Sequence, residues 1–248
     1  MGLIVAGLDP SGGAGILLDT KVFQYFKVPS AGVITANTVQ NSCGAKYWKP
    51  VEENLFKDQL EFLKEDFTFG VIKTGMVARR RFLEIVAQTF ERIPLIVDPV
   101  MFSKNGVSLI DDWKVYLDLA EEIFLITPNL LEAQTLAGLQ TEDAEKLLIS
   151  LKRRGFKNIL LKGGHLKGER VRDYLLLENG EFYIFSRPRL TVQPRGTGCA
   201  LSSAIAANFL TLKNLKEAAL RAEEFIKNLL KTAQKLGKCH EIFEIYPS

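Results

Sequence analysis

Histidine, methionine, tryptophan and cysteine are all scarce in this chain: two, three, two and three among 248 residues. With only His165 and His240, and no close cysteine pair, a structural zinc site has too few ligands. Cys43, Cys199 and Cys239 are odd in number and widely spaced. They imply no disulfide framework, and a reducing cytoplasm is the default expectation. No apolar run approaches the roughly 20 residues that a membrane helix needs. The first one, residues 3–8, is too short for a signal-peptide core and contains Gly7. A charge excess is missing as well. Thirty-two basic and 29 acidic side chains leave a formal net charge of +3, which gives no electrostatic reason to expect nucleic acid or membrane as a partner. The longest basic run, Arg79-Arg80-Arg81, precedes an apolar helical pattern and reads as a solvated face. Low-complexity segments, repeats and Pro/Gly-rich linkers are absent too, so residues 1–248 are expected to form one domain.

What is present is alternation. Short β-branched or leucine-rich runs at 3–6, 32–35, 70–73, 95–98, 124–127 and 158–162 predict strands. Helical patterns at 15–26, 52–66, 79–92, 129–138 and 142–154 lie between or after them. Such alternation predicts a three-layer α/β sandwich, a mainly parallel central sheet with helices on both faces. Runs at 174–177 and 182–185 flank Glu178-Asn179-Gly180-Glu181 and predict an added hairpin. Two further helices are expected at 197–211 and 214–236, the second with apolar spacing from Leu215 to Ala233 that marks a packed helix.

In open sheets of this kind ligands sit at the carboxyl ends of the strands, and the sequence is richest there. The first strand runs into Gly7-Leu8-Asp9-Pro10-Ser11-Gly12-Gly13-Ala14-Gly15, and the helix that follows carries Asp19. This is neither a P-loop nor a dinucleotide fingerprint. It reads as a tight turn or as a ligand loop whose glycines allow close backbone approach. Arg195-Gly196-Thr197-Gly198-Cys199 opens a helix of small residues. Unpaired N–H groups at such a start form a cradle for phosphate or developing negative charge. The same field is expected to lower the pKa of Cys199, which could then take a proton from a substrate hydroxyl; close helix packing is the alternative use of a small residue there. Thr127-Pro128-Asn129-Leu130-Leu131-Glu132 places an amide and a carboxylate three apart at a helix start. That pattern serves as a capping box, as a water-mediated Mg²⁺ site, or as both. Asp98, Lys162 and Lys73 each end an apolar strand on the ligand side.

In this order the segments resemble the ribokinase-like superfamily and, within it, the hydroxymethylpyrimidine/phosphomethylpyrimidine kinases of thiamine biosynthesis. The markers are Ala6 to Gly15, Lys73-Thr74-Gly75-Met76, Asp98-Pro99-Val100-Met101, Thr127-Pro128-Asn129, Lys162-Gly163-Gly164-His165 and Gly196-Thr197-Gly198-Cys199, in register from Ala6 to about Leu236. The resemblance implies ATP and Mg²⁺ as cosubstrate and cofactor. It implies phosphorylation of 4-amino-5-hydroxymethyl-2-methylpyrimidine and then of its monophosphate, and it implies a homodimer. It assigns Gln40 to the pyrimidine edge, with Gly7, Asp19, Met76 and Val100 completing the substrate pocket. Cys199 takes the position of the catalytic base, and Gly196, Thr197 and Gly198 hold the transferring phosphoryl group. Lys162, Asn129 and Arg195 face the nucleotide, and Asp98 and Glu132 the metal or its waters. Two positions depart from the family pattern: Arg195 stands where histidine is usual, and Ala200 where threonine is usual. Pyridoxal-type kinases are the rival within the fold, and a ligand-binding protein that has lost catalysis is the rival outside enzymes.

Overall fold

The computed structural model describes residues 1–165, 168–189 and 194–245. Its centre is a nine-stranded sheet: β1 (Gly2–Leu8), β2 (Ser30–Asn41), β3 (Gly44–Pro50), β4 (Val71–Thr74), β5 (Leu95–Val97), β6 (Leu125–Ile126), β7 (Asn158–Leu161), β8 (Arg170–Leu176) and β9 (Phe182–Pro188). The spatial order is β3-β2-β1-β4-β5-β6-β7-β8-β9. The six strands from β2 to β7 pair in parallel, and antiparallel strands close both edges.

Period-two alternation along the central strands feeds two separate cores. Leu3 and Val5 of β1 join Leu95, Val97, Ile159 and Leu161 on one face. Ile4, Ala6, Ile96 and Leu160 face the other way. The first face is covered by α2 (Glu53–Asp66), α3 (Arg80–Thr89), α4 (Val115–Asp118), α5 (Leu130–Ala137) and α6 (Ala144–Arg153). The second is covered by α1 (Gly15–Tyr25), α7 (Thr197–Leu212) and α8 (Leu215–Leu229). This is the expected α/β sandwich. Helix α7 is buried on every side from Ala200 to Phe209, and its alanines and serines let it pass between α1, α8 and the sheet. No helix among the described residues is long and apolar enough to cross a membrane.

The hairpin expected near residues 178–181 is β8–β9. A buried triad locks it onto α8: Arg187 Nη1 donates to Asp173 Oδ2 at 2.6 Å and to Glu223 Oε2 at 2.8 Å. Asp173 Oδ1 also accepts from the Gly163 N–H at 2.6 Å, which ties the edge hairpin to the turn after β7.

Three expectations are corrected. Strand β3 was not expected; it pairs antiparallel with β2, Trp48 opposite Thr38. The last helix ends at Leu229, not near 236, because Thr232 Oγ1 donates to the Leu229 carbonyl at 2.8 Å and the chain turns back. It then forms a small ribbon of β10 (Ala233–Gln234) and β11 (Ile242–Phe243). Finally, a disulfide joins Cys43, in the β2–β3 turn, to Cys239, between β10 and β11. Their separation of 196 residues says nothing about proximity; the fold brings the two turns together.

Candidate active site

Strand β1 pairs with both β2 and β4, and from it the chain order runs outward in two directions. The carboxyl ends of β1 and β4 therefore flank a topological switch point, where open α/β sheets bind ligands. The β1–α1 loop enters this crevice with Asp9 Oδ1 accepting from the Ser11 N–H and hydroxyl at 2.9 and 2.7 Å. Asp9 Oδ2 and Thr74 Oγ1 are buried with no hydrogen-bond partner among the described residues, which leaves polar capacity at this end of the sheet.

Helix α7 starts over the same crevice. Its N-cap, Gly196, has φ 76° and carries no side-chain cap. A side chain there would overlap the Gly13 carbonyl and Leu18. Only glycine fits both the left-handed backbone and the close approach. The N–H groups of the first turn are thus left for an anion.

Lys162 reaches this turn from the end of β7. A Cβ on Gly198 would lie 3.0 Å from its Nζ. Lys162 Nζ also pairs with Asp98 Oδ1 at 2.6 Å. Burial disfavours its charge, but Asp98 and Glu132 more than offset this and raise the ammonium pKa. Burial likewise works against the Asp98 carboxylate, yet Lys162 and Lys73 hold it below its usual value. The Cys199 thiol lies within the electrostatic reach of Asp98, Lys73 and Lys162. Burial, joined by the negative charge of Asp98, raises the thiol pKa well above its ordinary value. This corrects the expectation of a lowered value: dehydration and a neighbouring carboxylate outweigh the helix field.

The capping box at the start of α5 is present. Asn129 Oδ1 accepts from the Glu132 N–H at 3.0 Å, and Glu132 Oε2 accepts from the Asn129 N–H at 2.8 Å. Glu132 is buried; that burial, with Asp98 nearby, raises its pKa to about 7 against the pull of Lys162. Among the described residues no three His, Cys, Asp or Glu side chains gather as a metal cage. Mg²⁺ delivered with a nucleotide needs only one or two carboxylates, because phosphate and water oxygens fill the remaining positions. Asp98 and Glu132 fit that requirement.

Gly7, Met76 and Val100 come together on the other side of the switch point. A Cβ on Gly7 would sit 2.8 Å from Met76 Sδ. Met76 packs with Ala36, Ala78, Leu109, Val100 and Trp48, and its carbonyl accepts from Thr35 Oγ1 at 2.6 Å. Gln40 is half-buried at the far end of β2, just past the bulge at Val39. Asp19 does not line this pocket. It has no exposed surface, and its two oxygens are taken by Lys73 Nζ at 2.6 Å and Ser203 Oγ at 2.8 Å. Burial raises the Asp19 pKa even against Lys73, while Asp19, Cys199 and Asp98 hold the Lys73 proton on despite burial. The proton sits on Lys73, and the ion pair lies beneath the site.

Arg195 is buried: its guanidinium lies 3.7 Å from Asp9 Oδ2 and donates to the Asn41 carbonyl. Sequence reading missed Trp48, whose indole N–H donates to the Ser108 carbonyl at 2.7 Å. The one signal was its rarity, since it is one of only two tryptophans.

Helix α7 therefore opens with uncapped N–H groups at the spot that Lys162 reaches, at the same end of the sheet as the Met76–Val100–Trp48 cluster. An α/β kinase of the ribokinase-like class is built this way. Comparison with known proteins narrows the class. The model of the phosphomethylpyrimidine kinase family matches residues 9–244, and the chain belongs to that family. A hydroxymethylpyrimidine/phosphomethylpyrimidine kinase from Aquifex aeolicus is 37% identical over 252 residues, covering 98% of each chain. Among solved structures, a phosphomethylpyrimidine kinase from Clostridium difficile superposes with TM-score 0.78 at 30% identity, over 92% of this chain and 97% of that one. The ADP complex of Bacillus subtilis pyridoxal kinase gives TM-score 0.87 at 25% identity, over 98% and 96% of the two chains.

Proposed function

We propose that this protein transfers the γ-phosphoryl group of ATP to the hydroxymethyl oxygen of 4-amino-5-hydroxymethyl-2-methylpyrimidine, and then a second group to the monophosphate, as steps of thiamine biosynthesis. The observation that carries the reading is the meeting of Lys162, Asp98 and Cys199 at the uncapped start of α7. The flat substrate lies in the Met76–Val100–Trp48 pocket, with Gln40 on its amino-pyrimidine edge. The N–H groups of Thr197, Gly198 and Cys199 hold the charge that develops on the transferring group. Lys162 steadies the nucleotide phosphates, with Asn129 beside it. Asp98 and Glu132, with water, would hold magnesium, which would supply positive charge to offset the phosphate oxygens.

A thiol with a raised pKa stays protonated at neutral pH, so Cys199 acts as a relay. As the substrate oxygen bonds to phosphorus and the bond to ADP breaks, the hydroxyl proton passes to Sγ. The proton already on Sγ passes to water at the exposed side of the half-buried thiol. Arg195 faces the pyrimidine side, where it suits a phosphorylated substrate better than it suits the nucleotide. A homodimer is part of the proposal.

The test is ADP release from purified protein with ATP-Mg²⁺, offering the hydroxymethylpyrimidine, its monophosphate and pyridoxal in parallel. Turnover of both pyrimidines is expected. Preference for pyridoxal would move the function to the second reading, which the close superposition with pyridoxal kinase favours. Binding without turnover of any of the three would leave a ligand-binding protein on a kinase fold.

A further inference from the structure

The Cys43–Cys239 disulfide lies outside the reacting groups, yet it fastens together three segments that border them. Cys43 sits in the β2–β3 turn, three residues beyond Gln40. Cys239 sits in the segment that continues to Glu241 and Ile242. The Glu241 carbonyl accepts from the Arg195 N–H at 3.0 Å, next to the glycine that starts α7. Ile242 packs onto the β1–α1 loop, its Cγ2 2.6 Å from where a Cβ on Gly13 would stand. Gly237 lies so close to Ser42 that any side chain there would overlap it.

Asn105 fixes the β3 side of the β2–β3 turn, its side chain accepting from the Ala45 N–H at 3.2 Å and donating to the Ala45 carbonyl at 2.8 Å. Among the described residues, however, the bonds between that turn and the β10–β11 segment are few. The β10–β11 ribbon consists of two residue pairs, Ala233 with Phe243 and Gln234 with Ile242. The β2–β3 turn is otherwise held to the start of α7 by the Arg195 bond to the Asn41 carbonyl. Both cysteines are exposed, so a reductant can reach the bond.

We propose that the Cys43–Cys239 disulfide is a redox-sensitive clasp that holds the β2–β3 turn, and with it Gln40, against the N-terminal end of α7, so that the oxidised protein binds its pyrimidine substrate more tightly than the reduced one. The inference rests on the reading of Gln40 as a substrate contact. Cys43 and Cys239 are positioning residues, acting through Gln40 and Arg195. The opening reaction is thiol–disulfide exchange with a dithiol. One thiolate of the dithiol attacks a sulfur of the pair and breaks the S–S bond; its second thiolate then resolves the mixed disulfide. Two electrons and two protons end on Cys43 and Cys239 as thiols, and the dithiol leaves as a disulfide. With the clasp open, the turn spends part of its time away from the site, and apparent affinity falls by the fraction of closed molecules.

The test compares full-length protein as purified in air, the same protein after dithiothreitol, and the C43S/C239S variant. Intact mass reports the thiol state. Steady-state kinetics give kcat and KM for hydroxymethylpyrimidine and for ATP, and hydrogen exchange follows residues 37–50 and 233–243. Opening the clasp is expected to raise KM for the pyrimidine about 3- to 10-fold. KM for ATP and kcat should stay within about twofold, while exchange quickens in both segments. Three free thiols in the air-purified protein would overturn the proposal. So would equal pyrimidine KM in the oxidised and reduced forms, or a parallel loss of kcat and of ATP affinity, which would mark general loosening. Absence of pyrimidine turnover in every form would instead fell the functional reading. The exchange comparison alone then decides the clasp, and unchanged exchange in 37–50 would end it.

Discussion

Cys199 occupies the first turn of a helix, where the backbone field favours a thiolate, yet partial burial and Asp98 keep the proton on sulfur. A relay of this kind matters only where the acceptor has a proton to lose. Cys199→Ala is expected to lower kcat on the hydroxymethylpyrimidine by about 10²- to 10⁴-fold with little change in KM. The loss on the monophosphate should be much smaller, because a phosphate oxygen attacks without giving up a proton. Steady-state kinetics on both acceptors check this, and equal losses would remove the relay. Beneath Cys199, the Lys73–Asp19 pair is buried on both sides, with Ser203 completing the carboxylate. Lys73→Met strands a buried charge and is expected to cost about 3–5 kcal/mol of folding stability, measured in urea. K73M/D19N, which removes both charges, should recover much of that loss.

Among the elements, those with an apolar core were legible and those without one were not. Strands β1, β4, β5, β6 and β7 are buried on both faces and stand out as apolar runs ending in Gly, Asp, Asn or Lys. Strand β3 lies at an edge, with Lys46, Tyr47 and Lys49 exposed or half-exposed, and its sequence carries no apolar signal. The site was legible where a motif and a strand end coincide, as at Asp98, Lys162 and Gly196. It was illegible where burial decides: Asp19 belongs beneath the pocket, and the Cys199 pKa moves opposite to the helix-end rule. The triad between β8, β9 and α8 was equally hidden. Burial, then Asp173, raises the Glu223 pKa well above its ordinary value against the pull of Arg187. A raised folded-state pKa gives stability that is full below the unfolded value and is lost as pH rises through the folded one. Glu223→Gln keeps the uncharged form at every pH. Its stability relative to the native protein is therefore expected to grow as pH rises from 5 to 8 in parallel urea titrations. A constant difference would mean that Glu223 is ionised throughout.

For the molecule as a whole, the sheet order follows from strand-and-helix alternation, while the one covalent cross-link joins turns that no local pattern connects. That cross-link makes the chain a ring with two tails: 42 residues precede Cys43 and nine follow Cys239. Pulled by its ends in a single-molecule force experiment, the oxidised protein can pay out only those tails, a contour length of roughly 180 Å at the span of an extended residue. The reduced protein should lengthen to roughly 900 Å. Most of the sheet, and every strand end that borders the site except that of β1 and the start of the β2–β3 turn, lies inside the ring and is shielded from the load until the sulfur–sulfur bond is cut.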